Sequence, residues 1–156
     1  MRLAILSVHY RYPELLADQL ERLARCAAAM RSGLALSFHP IVHRQSRPAV
    51  VRAVLGASSR GALAVRGLDL RDRPAKLIPR GARSHARSLM EAVGVLRQED
   101  NLGADDLLAL LDHDAHPLDA RLFDRLAAEL ARPDGPAAVG IPHWHGPLCY
   151  LHPSLL

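Results

Sequence analysis

Two aspartates separated by one residue, Asp112 and Asp114, directly follow an apolar run at residues 107–111. Ionised carboxylates are too costly to bury unpaired, so these acids mark the point where a buried strand leaves the core. In open α/β sheets, ligands bind at the carboxyl ends of the strands. Two carboxylates in one loop suit a hard divalent cation, which prefers oxygen ligands and leaves positions free for substrate phosphates. The pattern therefore predicts a metal–phosphate site; the simpler alternative is that an aspartate caps a turn.

Histidines are concentrated in the last third of the chain, at positions 113, 116, 143, 145 and 152. Imidazole is the usual ligand of transition metals, so one interpretation is a zinc or iron site made of these side chains and Asp112. No helical His-x-x-x-His and no Cys-x-x-Cys accompanies them. We favour an acceptor-side loop in which an indole ring offers a stacking face for a sugar, formed by His143, Trp144, His145 and His152.

The composition predicts one domain, residues 1–156, with a hydrophobic fraction of 49% that is sufficient for a buried core. No apolar run is long enough for a transmembrane segment, and we recognise no signal peptide. Cys26 and Cys149 match no zinc or redox spacing, which makes a reducing cytoplasm the expected compartment. The net charge of +4 comes almost entirely from arginines spread along the chain, with few aromatic residues between them. We therefore expect no nucleic-acid partner, whereas small phosphate-bearing molecules would suit arginine.

Short apolar runs alternate with helical apolar stripes along the chain. The runs predict strands at residues 3–8, 35–38, 62–65, 76–78, 107–111 and 137–141. Helices are predicted to begin at Pro13, near Val50, at an N-cap Ser84 and at Asp119. This alternation predicts a three-layer α/β fold, in which helices flank a mostly parallel sheet.

Three stretches together resemble one protein family. They are LAILSVHYRYPELL at residues 3–16, GARSHARSL at 81–89 and LLDHD at 110–114, and a late His-Pro-Ser follows at 152–154. In this order they are similar to the nucleotide-sugar-binding half of GT-A-type glycosyltransferases, nearest to the inverting family 2 group. The chain departs from that family because its second strand is not followed by paired acids. It also ends before the region that normally supplies the catalytic base and much of the acceptor site.

The resemblance implies a transferase that moves a sugar from a nucleoside-diphosphate donor to an acceptor, which the sequence does not identify. Asp112 and Asp114 would hold Mn²⁺ or Mg²⁺, which neutralises charge on the departing diphosphate. The residues expected to face the nucleotide are His9, Tyr10, Arg11, Tyr12, Arg83, His85 and His113. Three structural alternatives remain: Tyr12 as a hydrophobic staple, Arg11 as a solvated side chain, and an ordinary capped helix start around Arg83 and His85.

Two other functions compete with the transferase. A metal-dependent phosphohydrolase would use Asp112, Asp114 and nearby histidines, although the first strand ends in Ser7, Val8 and His9 without an acid. A non-catalytic nucleotide-sugar-binding remnant is the other alternative, because no catalytic base is identified. We also expect a homodimer in which a second copy covers the exposed end of the sheet, and slow or absent transfer by this chain alone.

Overall fold

The computed structural model describes residues 1–72, 82–100, 102–103, 106–115, 119–130 and 132, and of residues 82–85 the backbone alone. Strands and helices alternate along this part of the chain. In order they are β1 (Arg2–Val8), α1 (Pro13–Ala29), β2 (Ala35–Val42), α2 (Pro48–Leu55), β3 (Leu63–Val65), β4 (Leu68–Asp69), α3 (Ala82–Glu99), β5 (Leu107–Leu110) and α4 (Ala120–Leu130).

The strands form one sheet in the order β3-β2-β1-β5, and β4 pairs with the carboxyl end of β2. Every strand pair among the described residues is parallel. Parallel neighbours need a crossover connection, which the helices between the strands supply. The predicted α/β class and the mostly parallel sheet are therefore confirmed.

The two faces of the sheet carry separate apolar cores, because successive side chains of a strand point to opposite faces. Leu3 and Ile5 of β1 pack with the apolar stripes of α1, α2 and α4. Ala4, Leu6 and Val8 pack on the other face, against α3. Helices thus cover both faces, as the apolar composition of β1 requires of a parallel strand buried on both sides.

Strand order reverses at β1, which makes the carboxyl end of this strand a topological switch point. The chain leaves β1 for α1 on one face and returns to β5, on the other side of β1, after α3 on the opposite face. β1 and β5 are adjacent in the sheet, so the loops that follow them begin side by side at its carboxyl end. Such a switch point is where ligands bind in open α/β sheets.

β2 is four residues longer than predicted, because it continues through Pro40 to Val42. A proline lacks the N–H that a central strand needs. The carbonyls of Phe38 and Val42 point away from β1, because they accept hydrogen bonds from the N–H groups of Arg66 and Leu70. The backbone nitrogen of Pro40 faces the same side, so the missing N–H is not one that would pair with β1. On that side the partner strand is interrupted between β3 and β4. Pro40 lies opposite the interruption, so little pairing is lost.

Three other sequence predictions need correction. Ser84 lies inside α3, which begins at Ala82, and is not its N-cap. The two-residue strand β4 was not predicted. The run at 107–111 was expected to be a fully buried strand, but β5 ends at Leu110 and only Leu107 is buried. Within the described residues β5 pairs with β1 alone, which explains its partial exposure.

The remaining element predictions are confirmed where the structure describes them. α1 begins at Pro13, and α2 ends at Leu55 before Gly56. α4 follows Asp119, whose Oδ1 accepts a hydrogen bond from the N–H of Arg121 (2.9 Å) in the manner of an N-cap. The predicted strands at 76–78 and 137–141 lie outside the described residues. Within them, no helix is both long and apolar enough to cross a membrane.

Candidate functional site

The turn at residues 112–115, here called the acidic turn, carries both aspartates of the predicted metal site. Leu111 still donates a backbone hydrogen bond to Leu6 of β1 (2.8 Å), and the Ala115 N–H then closes the turn by donating to the Asp112 carbonyl (3.0 Å). Asp112 and Asp114 are exposed. Both carboxylates therefore lie in solvent at the switch point, as the sequence predicts.

Gln19 of α1 holds this turn from below. Its Nε2 donates to the carbonyl oxygens of Asp112 (2.7 Å) and Ala115 (2.8 Å), and its side chain is fully buried. Sequence reasoning missed this residue. The available signal was a polar side chain at a core position of the helix, between the buried Leu16 and Leu23.

His9 lies beneath the acidic turn at the end of β1, with 1% of its surface exposed. Its ring approaches those of Phe38 and His113 edge-on, at 6.5 Å between centroids in each case. Burial, followed by the nearby His113, lowers the His9 pKa to about 4, although Gln19 acts in the opposite direction. His9 is therefore neutral at physiological pH, and it is a buried residue that a nucleotide does not reach directly.

Tyr10 connects the loop after β1 to the acidic turn and to β2. Its ring packs edge-on against His43 (4.4 Å between centroids) and lies 6.3 Å from His113. Burial and the charge of Asp112 raise the Tyr10 pKa to about 12, so its phenol stays protonated beside the acid. His43 was not predicted as a site residue; its only signal was its position after the apolar run of β2.

The β2–α2 loop fixes the backbone of the β1–α1 loop. Ser46 Oγ donates to the His9 carbonyl (2.6 Å), and the Arg47 N–H donates to the Tyr10 carbonyl (2.8 Å). Two separate loops are thereby joined at the carboxyl end of the sheet. The segment from His9 to Tyr10 is consequently anchored on both sides, by β1 itself and by the start of α2.

Arg11 and Tyr12 complete the loop before α1 and are exposed. Tyr12 occupies the N-cap position and keeps 48% of its surface exposed. A hydrophobic staple is formed by a packed apolar residue at the position before the N-cap, whereas Tyr12 is the N-cap residue itself and is exposed. This alternative for Tyr12 is therefore wrong. Both side chains are exposed to solvent, and their predicted contact with a nucleotide stays a prediction.

Several predicted site residues have side chains that lie outside the described part of the structure. Arg83 and His85 lie in the first turn of α3, but their side chains are outside the described set. Also outside it are His116, His143, Trp144, His145 and His152. In the described part of the chain, no group of three or more His, Cys, Asp or Glu side chains could hold a metal.

The acidic turn itself fits a hard divalent cation such as Mn²⁺ or Mg²⁺ better than zinc or iron. Asp112 and Asp114 offer exposed carboxylate oxygens from a single turn, and such cations prefer oxygen ligands while keeping waters or phosphates in their other positions. His9 is too deeply buried to join these acids at the surface. The Mn²⁺ or Mg²⁺ prediction therefore stays a prediction, with these two residues as its ligands.

A second polar cluster, on the α3 face, has the residue types of a catalytic triad. Ser37 Oγ lies 3.1 Å from His39 Nε2, and His39 Nδ1 lies 4.0 Å from the Asp100 carboxylate. Ser37 and His39 are buried in the sheet, and Arg66 pairs with Asp100. A nucleophile must be reached by its substrate, and a 4.0 Å separation exceeds hydrogen-bond reach. This cluster is a structural network.

No model of a known protein family matches this chain, and no curated protein or solved structure matches it significantly. The resemblance to GT-A-type glycosyltransferases therefore rests on the sequence stretches themselves.

Proposed function

We propose that the carboxyl end of the sheet is a nucleotide-sugar site and that the protein is a metal-dependent glycosyltransferase. The observation that carries this proposal is the exposure of Asp112 and Asp114 on one anchored turn at the switch point between β1 and β5. Ligands of open α/β sheets bind at this position, and two carboxylates there suit a cation that bridges phosphates.

The loop after β1 supplies the groups that would contact the nucleotide. Tyr12 offers an exposed aromatic ring at the start of α1. Arg11 is exposed beside it, and Arg47 is held next to Tyr10 by a backbone hydrogen bond. Neither arginine forms an ion pair with a described carboxylate, so both guanidinium groups remain able to bind a phosphate, which arginine recognises through paired N–H donors.

The chemistry that this arrangement supports is loss of a diphosphate leaving group. Asp112 and Asp114 would hold a divalent cation, which would supply Lewis-acid stabilisation of the leaving diphosphate. Tyr10 keeps its proton beside Asp112, so its phenol can donate a hydrogen bond to an anionic oxygen. The bond from the sugar to the diphosphate breaks as the bond to the acceptor oxygen forms. The described residues identify no base for the acceptor proton.

Calorimetric titration of Mn²⁺, with and without UDP, GDP or dTDP, tests the proposal. Two carboxylates are too few ligands for tight metal binding, so we expect tight binding only when a diphosphate completes the coordination. The variant with both Asp112→Asn and Asp114→Asn should lose this cooperation. Tight Mn²⁺ binding that is the same without any nucleotide would reject the proposal and favour a site rich in histidine.

Product analysis separates the transferase from its two competitors. Incubation with nucleotide-sugars and candidate acceptors should yield a glycosylated acceptor and a nucleoside diphosphate. A metal-dependent phosphohydrolase would release inorganic phosphate or a nucleoside monophosphate. A non-catalytic binding protein would raise its melting temperature with nucleotide, because the ligand binds only the folded state, yet consume no donor.

A further inference from the structure

The buried amide of Gln19 has an orientation that its surroundings determine. Its Nε2 contacts the carbonyl oxygens that open and close the acidic turn, those of Asp112 and Ala115. Carbonyl oxygens only accept hydrogen bonds, so the amide nitrogen must face the turn with both its hydrogens. The amide oxygen must then face away from the turn, into the interior.

His9 is buried at the same turn, with its ring edge-on to that of His113 at 6.5 Å between centroids. Burial lowers the pKa of the His9 ring and keeps it neutral, whereas Gln19 acts to raise that pKa. Among the described groups, neither the amide oxygen nor either ring nitrogen of His9 has a partner in hydrogen-bonding geometry. A neutral imidazole carries one N–H, and a small approach would pair it with the amide oxygen.

We infer that Gln19 is the positioning residue of the acidic turn, and that its amide oxygen, which the two turn carbonyls direct inward, accepts a hydrogen bond from the neutral His9 ring. Three parts of the fold meet in this arrangement: the loop after β1 through His9, α1 through Gln19, and the turn after β5. The amide fixes the turn backbone and therefore the directions in which Asp112 and Asp114 project. This positioning stands independently of any ligand; its effect on ligand affinity rests on the proposed function.

A turn held in this way would favour binding because the ligand does not have to order it. Loops that are free before binding lose conformational entropy when a ligand fixes them. Supporting hydrogen bonds from a rigid element remove that cost and hold the binding groups in place. Gln19 is well suited to this role, since it belongs to a 17-residue helix whose buried face packs on the sheet.

Gln19→Met tests the inference, with Leu23→Ala as its matched control. Methionine is unbranched and adaptable, so it fills the same buried space without donating a hydrogen bond. Leu23 is fully buried on the same helix, and its truncation lowers stability without touching the turn. The measurements are amide hydrogen exchange of Ala115, corrected for global stability from urea unfolding, and the ¹⁵N shifts of the His9 ring.

We expect Ala115 exchange to accelerate on the order of tenfold in Gln19→Met, as for the loss of one or two neutral hydrogen bonds. After correction, Leu23→Ala should show the wild-type rate. The His9 ring should hold one tautomer in the wild type and a mixture in Gln19→Met. The same acceleration in both variants, or unchanged exchange and tautomer in Gln19→Met, would overturn the inference.

A measurement on the wild type keeps the inference testable if Gln19→Met does not fold. Both Nε2 protons of Gln19 should exchange slowly, because each is buried in a hydrogen bond; rapid exchange of either proton rules the arrangement out. Affinity for Mn²⁺ with UDP should fall in Gln19→Met and not in Leu23→Ala. If the wild type binds no nucleotide, the proposed function fails, and the exchange data alone decide the role of Gln19.

Discussion

At the scale of single residues, Asp114 is the most direct test of the acidic turn. Its side chain is exposed, so Asp114→Asn should change the free energy of unfolding by well under about 1 kcal/mol. The same substitution removes one charged ligand and should weaken Mn²⁺-dependent nucleotide binding at least tenfold, a change of ~1.4 kcal/mol. Calorimetry and urea unfolding measure the two quantities.

Glu21→Gln is the matched control for Asp114→Asn. It removes one exposed carboxylate from α1, where Glu21 pairs weakly with Arg25 (3.9 Å), and leaves the acidic turn intact. Nucleotide affinity should stay at the wild-type value in this variant. If Asp114→Asn instead lowers the melting temperature of the ligand-free protein sharply, the aspartate is structural, and the turn-capping interpretation is correct.

The site could be predicted from the sequence only where local chemistry determines it. Asp112 and Asp114 were predictable because acids that follow an apolar run must lie where the strand leaves the core. The burial of His9 was not predictable, since it depends on rings contributed by β2 and by the turn after β5. Gln19 shows the same limit: its core position follows from helical spacing, but its partners lie more than ninety residues away.

At the scale of elements, the interruption between β3 and β4 depends on Gly67. A Cβ atom on this residue would lie 2.3 Å from the carbonyl oxygen of Val54 in α2. Backbone atoms this close must move apart, so we expect Gly67→Ala to destabilise the protein by ~1–3 kcal/mol. Urea unfolding monitored by circular dichroism measures the change.

Gly94→Ala provides the opposite expectation in the same assay. Gly94 lies inside α3, and an added Cβ would meet nothing within 4 Å. Alanine is the better helix former, so this variant should gain about 0.5–1 kcal/mol. Equal stabilities for the two variants would show that α2 does not pack on the β3–β4 link as the structure has it.

Elements were predictable from the sequence where their signals are local. Pro13 marks the start of α1 because its fixed φ suits the first helical position. The strand predicted at residues 35–38 is four residues shorter than β2, which continues through Pro40 although proline is uncommon in central strands. β2 tolerates Pro40 because this residue lies opposite the gap between β3 and β4. That gap is a long-range feature, which the sequence of β2 alone does not reveal.

At the scale of the whole molecule, the two cores each contain a buried neutral histidine. His9 lies on the α1 face and His39 on the α3 face, and burial is the main cause that lowers each pKa from 6.5 to about 4. For His39, the Asp100 charge opposes this shift, while Arg2 and Arg66 add to it. Protonation of His9 therefore destabilises the core on the α1 face, and protonation of His39 destabilises the core on the α3 face.

The sign of the resulting pH dependence follows from proton linkage. Between pH 6.5 and pH 4 the unfolded chain binds more protons at these two rings than the native protein does. The free energy of unfolding is therefore unaffected by these rings well above pH 6.5 and decreases as the pH is lowered below it. We expect a loss of ~2 kcal/mol per histidine between pH 7 and pH 5. His9→Gln and His39→Gln should each flatten the dependence by about that amount, whereas Arg52→Gln, at an exposed position of α2, should leave it unchanged. Urea unfolding at several pH values measures these slopes. Identical slopes in the wild type and in both histidine variants would show that neither ring is held neutral by its core.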